Sequence, residues 1–112
     1  MPQPPSPARR AAVALLTGVL ARGEALTDTA GPLAALDPAD RAAAQRLATT
    51  VLRHLARADA VLDPHLRKPP VGPVRQILRL GATELCTGGA AHGVVSDCVA
   101  LAADARKTAS AR

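Results

Sequence analysis

Residues 67–85 read RKPPVGPVRQILRLGATEL, and the fold class is decided there. The basic dipeptide Arg67-Lys68 leads into a loop broken by prolines, and from Pro73 onward the apolar residues recur with a helical period. Val74, Ile77, Leu78, Gly81 and Leu85 fall at i, i+3, i+4, i+7 and i+11, which is one stripe of a helix. Arg75, Arg79 and Thr83 fall on the other side at i, i+4 and i+8. The segment therefore predicts one helix with a core face and a cationic face, closed by Thr87-Gly88-Gly89.

Outward from this helix, the rest of the chain punctuates itself in the same way. Ser6-Pro7 offers an N-cap followed by proline at the first helical position, and Gly23 a stop, so a first helix is expected to Arg22. Its inward residues are Ala12, Val13, Leu16, Val19 and Leu20. A short helix is expected around Pro32 to Leu36. Asp37-Pro38 repeats the cap-and-proline signal, with Asp40 in the favourable first turn, for a long helix from Pro38 to about Arg57. Ala44, Leu47, Val51 and Leu55 form its inner seam. A further short helix covers Ala58 to Leu66, and a last one Ala91 to Lys107 with Val95, Cys98, Val99 and Ala102 inward. No useful segment alternates apolar and polar residues with β-branched enrichment. The chain reads as an all-α bundle of about five to seven helices over residues 6–107, flanked by a disordered Pro-rich tail at 1–5 and a flexible end at 108–112.

Composition narrows the function classes. The chain has 112 residues, a formal charge of +5 and no Phe, Tyr or Trp. A basic chain suits an anionic partner, whether nucleic acid, an acidic protein or a membrane surface. From Arg41 to Arg79 eight basic residues face only two acidic ones, Asp59 and Asp63, whereas from Leu80 onward the charges cancel. Most of the cations are Arg, whose planar fork matches phosphate. Without aromatic rings, bases cannot stack on them as they do in most single-strand binders; Arg planes could stack in their place, but phosphate and groove contacts are the better expectation. The core must rest on Leu, Val, Ile and Ala, which implies modest stability or a larger parent protein that supports the domain. No apolar run spans a membrane and the N-terminus lacks signal-peptide form, so the reading is cytoplasmic. Cys86 and Cys98 form no CxxC pair and are expected to be two buried, reduced thiols.

Enzyme signatures are scarce. Gly88-Gly89 is not a phosphate loop, because no strand precedes it and no Lys-Ser/Thr follows. Asp97 and Cys98 are sequence neighbours and so diverge by about a hundred degrees on a helix. His54, His65 and His92 assemble no nucleophile–base–orienter set, and no catalytic, metal or cofactor residue is assigned. The candidate constellation is cationic: Arg9, Arg10, Arg46, Arg53, Arg57, Arg67, Lys68, Arg75 and Arg79. Arg9 and Arg10 occupy the first turn of a helix, where the dipole disfavours cations; they are either part of a phosphate site or a solvated terminus. Arg46, Arg53 and Arg57, at i, i+7 and i+11, form one exposed strip, read either as phosphate contacts or as a solubilising face.

Four segments together, ARRAAVALLTGVL, LDPADRAAAQRLATTVLRHLARADAVLDPHL, PVRQILRLGATEL and AAHGVVSDCVALAADARK, resemble the NusB-like domain over nearly the whole chain. Of the two branches of that family, RKPPVGPVRQILRLG is similar to the N-terminal domain of Sun/RsmB-type 16S rRNA (cytosine-C5)-methyltransferases, as is the run from His92 to Asp97. Ala91, Thr49-Thr50 and Thr83 stand where the family pattern carries proline, Tyr-Gly and an aromatic. The resemblance implies an RNA-binding accessory domain that docks 16S rRNA for a fused or associated methyltransferase domain. S-adenosylmethionine would belong to that catalytic half, so these 112 residues alone are not expected to be an enzyme. The alternative is a free-standing transcription antitermination factor that binds RNA and a ribosomal protein.

Overall fold

A computed structural model describes residues 4–25, 30–68, 70 and 72–110. Among them are six α-helices and one 3-10 turn: α1 (Pro7–Arg22), α2 (Ala30–Leu33), α3 (Pro38–Arg53), α4 (Leu55–Leu62), the turn Asp63–His65, α5 (Pro73–Cys86) and α6 (Ala91–Ser110). The bundle is all-helical, with no strand among the described residues. None of its helices is long and apolar enough to cross a membrane. The expected tail falls partly on residues 1–3, outside the described residues, and Pro5 is buried. The expected flexible end includes residues 111–112, also outside them, while α6 continues through Ser110.

The local signals act as chemistry requires. Ser6 Oγ accepts from the Arg9 N–H at 3.1 Å, Asp37 Oδ1 accepts from the Asp40 N–H at 2.8 Å, and each cap is followed by proline. Gly23 ends α1 in the left-handed region, where a Cβ would be strained. Small residues set the packing. Ala8, Ala11 and Ala12 of α1 are buried, as are Ala44 and Ala48 of α3, so the two helices pack with little side-chain bulk between them. Leu16, Val51, Leu80 and Val94 are the largest fully enclosed side chains of this aromatic-free core. Helix α5 is central and touches α1, α3, α4 and α6. At Gly81 a Cβ would lie 3.1 Å from Cys98 Sγ, which marks how closely α6 lies on it.

Three expectations need correction. The long helix stops at Arg53 instead of Arg57. His54 leaves the helical region, its N–H shared between Thr50 O and Val51 O, and α4 restarts at Leu55. No Gly or Pro marks this break. Its result is that Ala58 is buried and Asp59 meets α5. The face of α5 is also rotated: Gln76, Ile77, Leu80, Gly81 and Thr83 are buried, while Leu85 is 45% exposed. A central helix has neighbours on most sides, so a single apolar stripe could not describe it. On α6, Val94 and Leu101 point inward while Val95 and Val99 are exposed. Asp97 shares the helical face of Val94 and Leu101, and its pairing with the start of α1 turns that face inward.

Candidate nucleic-acid interface

The nine cations divide into two groups. Arg9, 21% exposed, lies where α1, α5 and α6 meet. Its Nε and Nη2 donate to the two oxygens of Glu84 at 2.9 and 3.1 Å, and its Nη1 donates to Asp97 Oδ2 at 2.7 Å. The same Asp97 oxygen accepts the Ser6 N–H at 3.1 Å. The anion that a helix N-terminus favours is thus supplied by α6, and the guanidinium edges of Arg9 are committed to carboxylates. Arg10 pairs with Asp104 at 2.7 Å on an exposed edge.

Arg75 and Arg79 are also partnered, and they do not form an open cationic face. Arg79, only 11% exposed, makes a two-pronged contact with Asp59 of α4 at 2.8 Å on each prong and reaches Gln76 Oε1. Arg75 stands 3.6 Å from the same carboxylate. Thr83, placed by its spacing on that face, is buried. Hydrogen bonds from Arg79, together with the charge of Arg79 and Arg75, hold the Asp59 carboxyl below the usual carboxylate range despite its burial. Burial pushes the Asp97 carboxyl up, but the bonds from Arg9 and the Ser6 amide outweigh it and the net shift is downward. Arg9 is correspondingly raised, chiefly by its bond to Glu84.

The second group is free to meet a ligand. Arg46, Arg53, Arg57, Arg67 and Lys68 are all exposed, and among the described residues none of them makes an ion pair. The single strip expected for Arg46, Arg53 and Arg57 is split by the break at His54, which puts Arg57 on α4. The split creates a new arrangement. Arg46 lines a cleft between α3 and the last turn of α5, and Arg57 lines a smaller cavity between α4 and the same turn. Both walls include Thr83 and Thr87, so the two arginines both border the end of α5. The second cavity also contains His54 and Cys86. Cys86 is exposed, not buried as expected, because it falls on the outer side of the last turn. Cys98 is half-buried against Ile77 O, and burial and then Glu84 push its thiol pKa up.

The sequence reasoning missed Asp59, Glu84, Asp97 and Thr83. A usable signal existed for two of them. The only acids after Leu80 are Glu84, Asp97 and Asp104, and all three pair with Arg9 or Arg10. Two cations in a helical first turn require such partners, and the charge balance of the C-terminal third supplies them.

The structure is a small all-helical domain in which, among the described residues, the internal cations are neutralised by its own acids and the remaining cations are exposed. The chain belongs to the NusB family, whose model matches residues 6–112. Membership implies RNA binding. Searches of curated proteins and of solved structures return no match.

Proposed function

We propose that this chain is an RNA-docking domain that presents 16S rRNA to an S-adenosylmethionine-dependent rRNA (cytosine-C5)-methyltransferase domain, fused to it or associated with it. The observation that carries the reading is the division of the cations. Arg46, Arg53, Arg57, Arg67 and Lys68 are exposed and unpaired among the described residues, and they fall in the stretch from α3 to the loop before α5. Each can displace a counterion from a phosphate, which provides affinity without reading sequence. Arg9 and Arg79 serve the fold in this reading, and Arg10 and Arg75 lie at its margin. The methyltransferase association is supported by the RKPPVGPVRQILRLG and His92–Asp97 segments, which are similar to that branch. Chemistry at the cytosine, and S-adenosylmethionine itself, belong to the other domain.

Two measurements test the reading. Binding of structured rRNA fragments across a salt series should give a slope of log affinity against log salt of roughly −3.5 to −4.5, the value for five phosphate contacts. Joint replacement of Arg46, Arg53 and Arg57 by Gln should flatten that slope by about two to three. A slope near zero in the parent chain would refute RNA docking. Reading the gene past the codon for Arg112 tests the association: an α/β domain of doubly wound pattern supports it. Affinity for a ribosomal protein, with no such domain, would support the antitermination alternative.

A further inference from the structure

The cleft between α3 and the end of α5 has a volume of about 460 Å³, within the range of small-molecule sites at roughly 300–1,000 Å³. Its apolar lining comes from Ala43, Leu47 and Val51, its far wall from the side-chain-free Gly88-Gly89, and Arg46 is an exposed member of its rim. The polar groups inside are mostly acceptors. Thr50 Oγ1 donates to Arg46 O, and Thr87 Oγ1 donates to Thr83 O, each at 2.8 Å, so both hydroxyls present only lone pairs. The negative end of the α5 dipole lies on the same side, whereas the Glu84 carboxylate is turned to Arg9. A phosphate inside would meet repulsion, whereas a neutral ring with an amino group would meet acceptors.

One donor is unaccounted for. Thr83, 4% exposed, carries an Oγ1 that has no hydrogen-bond partner among the described residues. Helical threonines usually return that hydrogen to a carbonyl four residues back, as Thr17, Thr50 and Thr87 do here. An unpartnered buried hydroxyl costs the fold, and a group entering the cleft can recover the loss once the side chain turns about χ1.

From this geometry we infer that the cleft receives one unpaired, amino-bearing nucleobase of the bound RNA, with its 5′ or 3′ phosphate held by Arg46 at the rim. The inference rests on the RNA-docking reading and adds to it a site that reads a base. The ring lies against Ala43 and Leu47, its amino group donates to the Thr50 and Thr87 hydroxyls, and its acceptor takes the Thr83 hydrogen. Such a pocket lets a chain with no aromatic residue engage a base without stacking on a ring.

Fluorescence anisotropy with labelled single strands of about ten nucleotides tests it. The probes are oligocytidine, oligouridine and an abasic sugar-phosphate chain of equal charge. The intact chain should bind oligocytidine about five-fold more tightly than either of the others. Thr50→Leu, which fills the cleft, should erase the preference and leave abasic affinity unchanged. Thr83→Val should weaken the preference while the melting temperature holds or rises, a combination that a purely structural role would not produce. Equal, salt-dependent binding of all three probes overturns the pocket and leaves the docking surface standing. Absence of salt-dependent binding to any probe removes the docking surface and the pocket with it.

Discussion

Replacing Arg9 by Met separates the cations that hold the fold from those that meet a ligand. The substitution keeps the methylene stem against α5 but deletes three charge-assisted hydrogen bonds. The side chains of Glu84 and Asp97, 12% and 16% exposed, are left as two neighbouring carboxylates without their cation. Breaking a fully buried pair costs about 3–5 kcal/mol, and residual solvent around these groups lowers the figure to about 2–4 kcal/mol. For a domain of this size that is a fall in Tm of roughly 10 °C. Circular dichroism during heating and urea titration measures both quantities. Arg46→Met, at an exposed unpaired position, should stay within about 0.5 kcal/mol of the parent. Glu84→Gln combined with Arg9→Met should cost less than the sum of the single changes, since the second removes an unpaired charge. If Arg9→Met leaves stability intact and instead flattens the salt dependence of RNA binding, Arg9 is a phosphate contact and the ion-pair hub is misassigned.

Acid should destabilise the domain in a defined direction. Asp59 and Asp97 titrate below their unfolded values, so their contribution is complete above about pH 5 and is lost as pH falls through the unfolded value near 3.9 and on through the lower folded ones. Urea midpoints measured from pH 7 to pH 3 should therefore fall on the acid side, and Asp97→Asn should make the decline shallower; an unchanged decline would remove Asp97 from the account. On α6, Val94→Ala should cost about 2 kcal/mol in thermal unfolding, whereas Val99→Lys, at a site 64% exposed, should be close to neutral. The reverse order would restore the other face of α6 to the core. Thiol labelling should resolve two rates in the folded protein: Cys86 reacts promptly, and Cys98 reacts slowly until denaturant is added.

The helix boundaries were legible where a side chain caps the backbone locally. Ser6-Pro7, Gly23, Asp37-Pro38 and the glycines after Thr87 mark their ends through hydrogen bonds or φ values that involve only nearby residues. The break at His54 has no such local cause. It goes with what α4 gains beyond the break, namely the burial of Ala58 and the contact of Asp59 with Arg79, and periodicity within one segment cannot register a gain made against another. The faces of α5 and α6 were misread for a related reason. Arg79 was placed on an open cationic face, although Arg79, like Glu84 and Asp97, points toward a partner inside the bundle. On α6 the spacing of Val95, Cys98, Val99 and Ala102 fits one helical stripe, but the buried stripe is the adjacent one through Val94 and Leu101. The candidate site was legible as a set of cations and not as a surface. Nothing local distinguishes Arg79, clamped on Asp59, from Arg57, two positions before that aspartate in the chain.

The hub at Arg9 also constrains the order in which the chain can assemble. Its partners lie 75 and 88 residues further along, and that of Arg10 94 residues further. As the chain emerges from the ribosome, α1 can meet α3 early, but its first turn has no counter-charge until α5 and α6 have been made. Closing loops of that span is slow relative to helix formation, so the final step of folding should be the capture of the N-terminal turn by the C-terminal third. Such a domain keeps its two ends in register with each other. A segment attached after α6 would follow on from the helix that supplies Asp97 and Asp104, and its own docking would bear on whether the first helix stays in place.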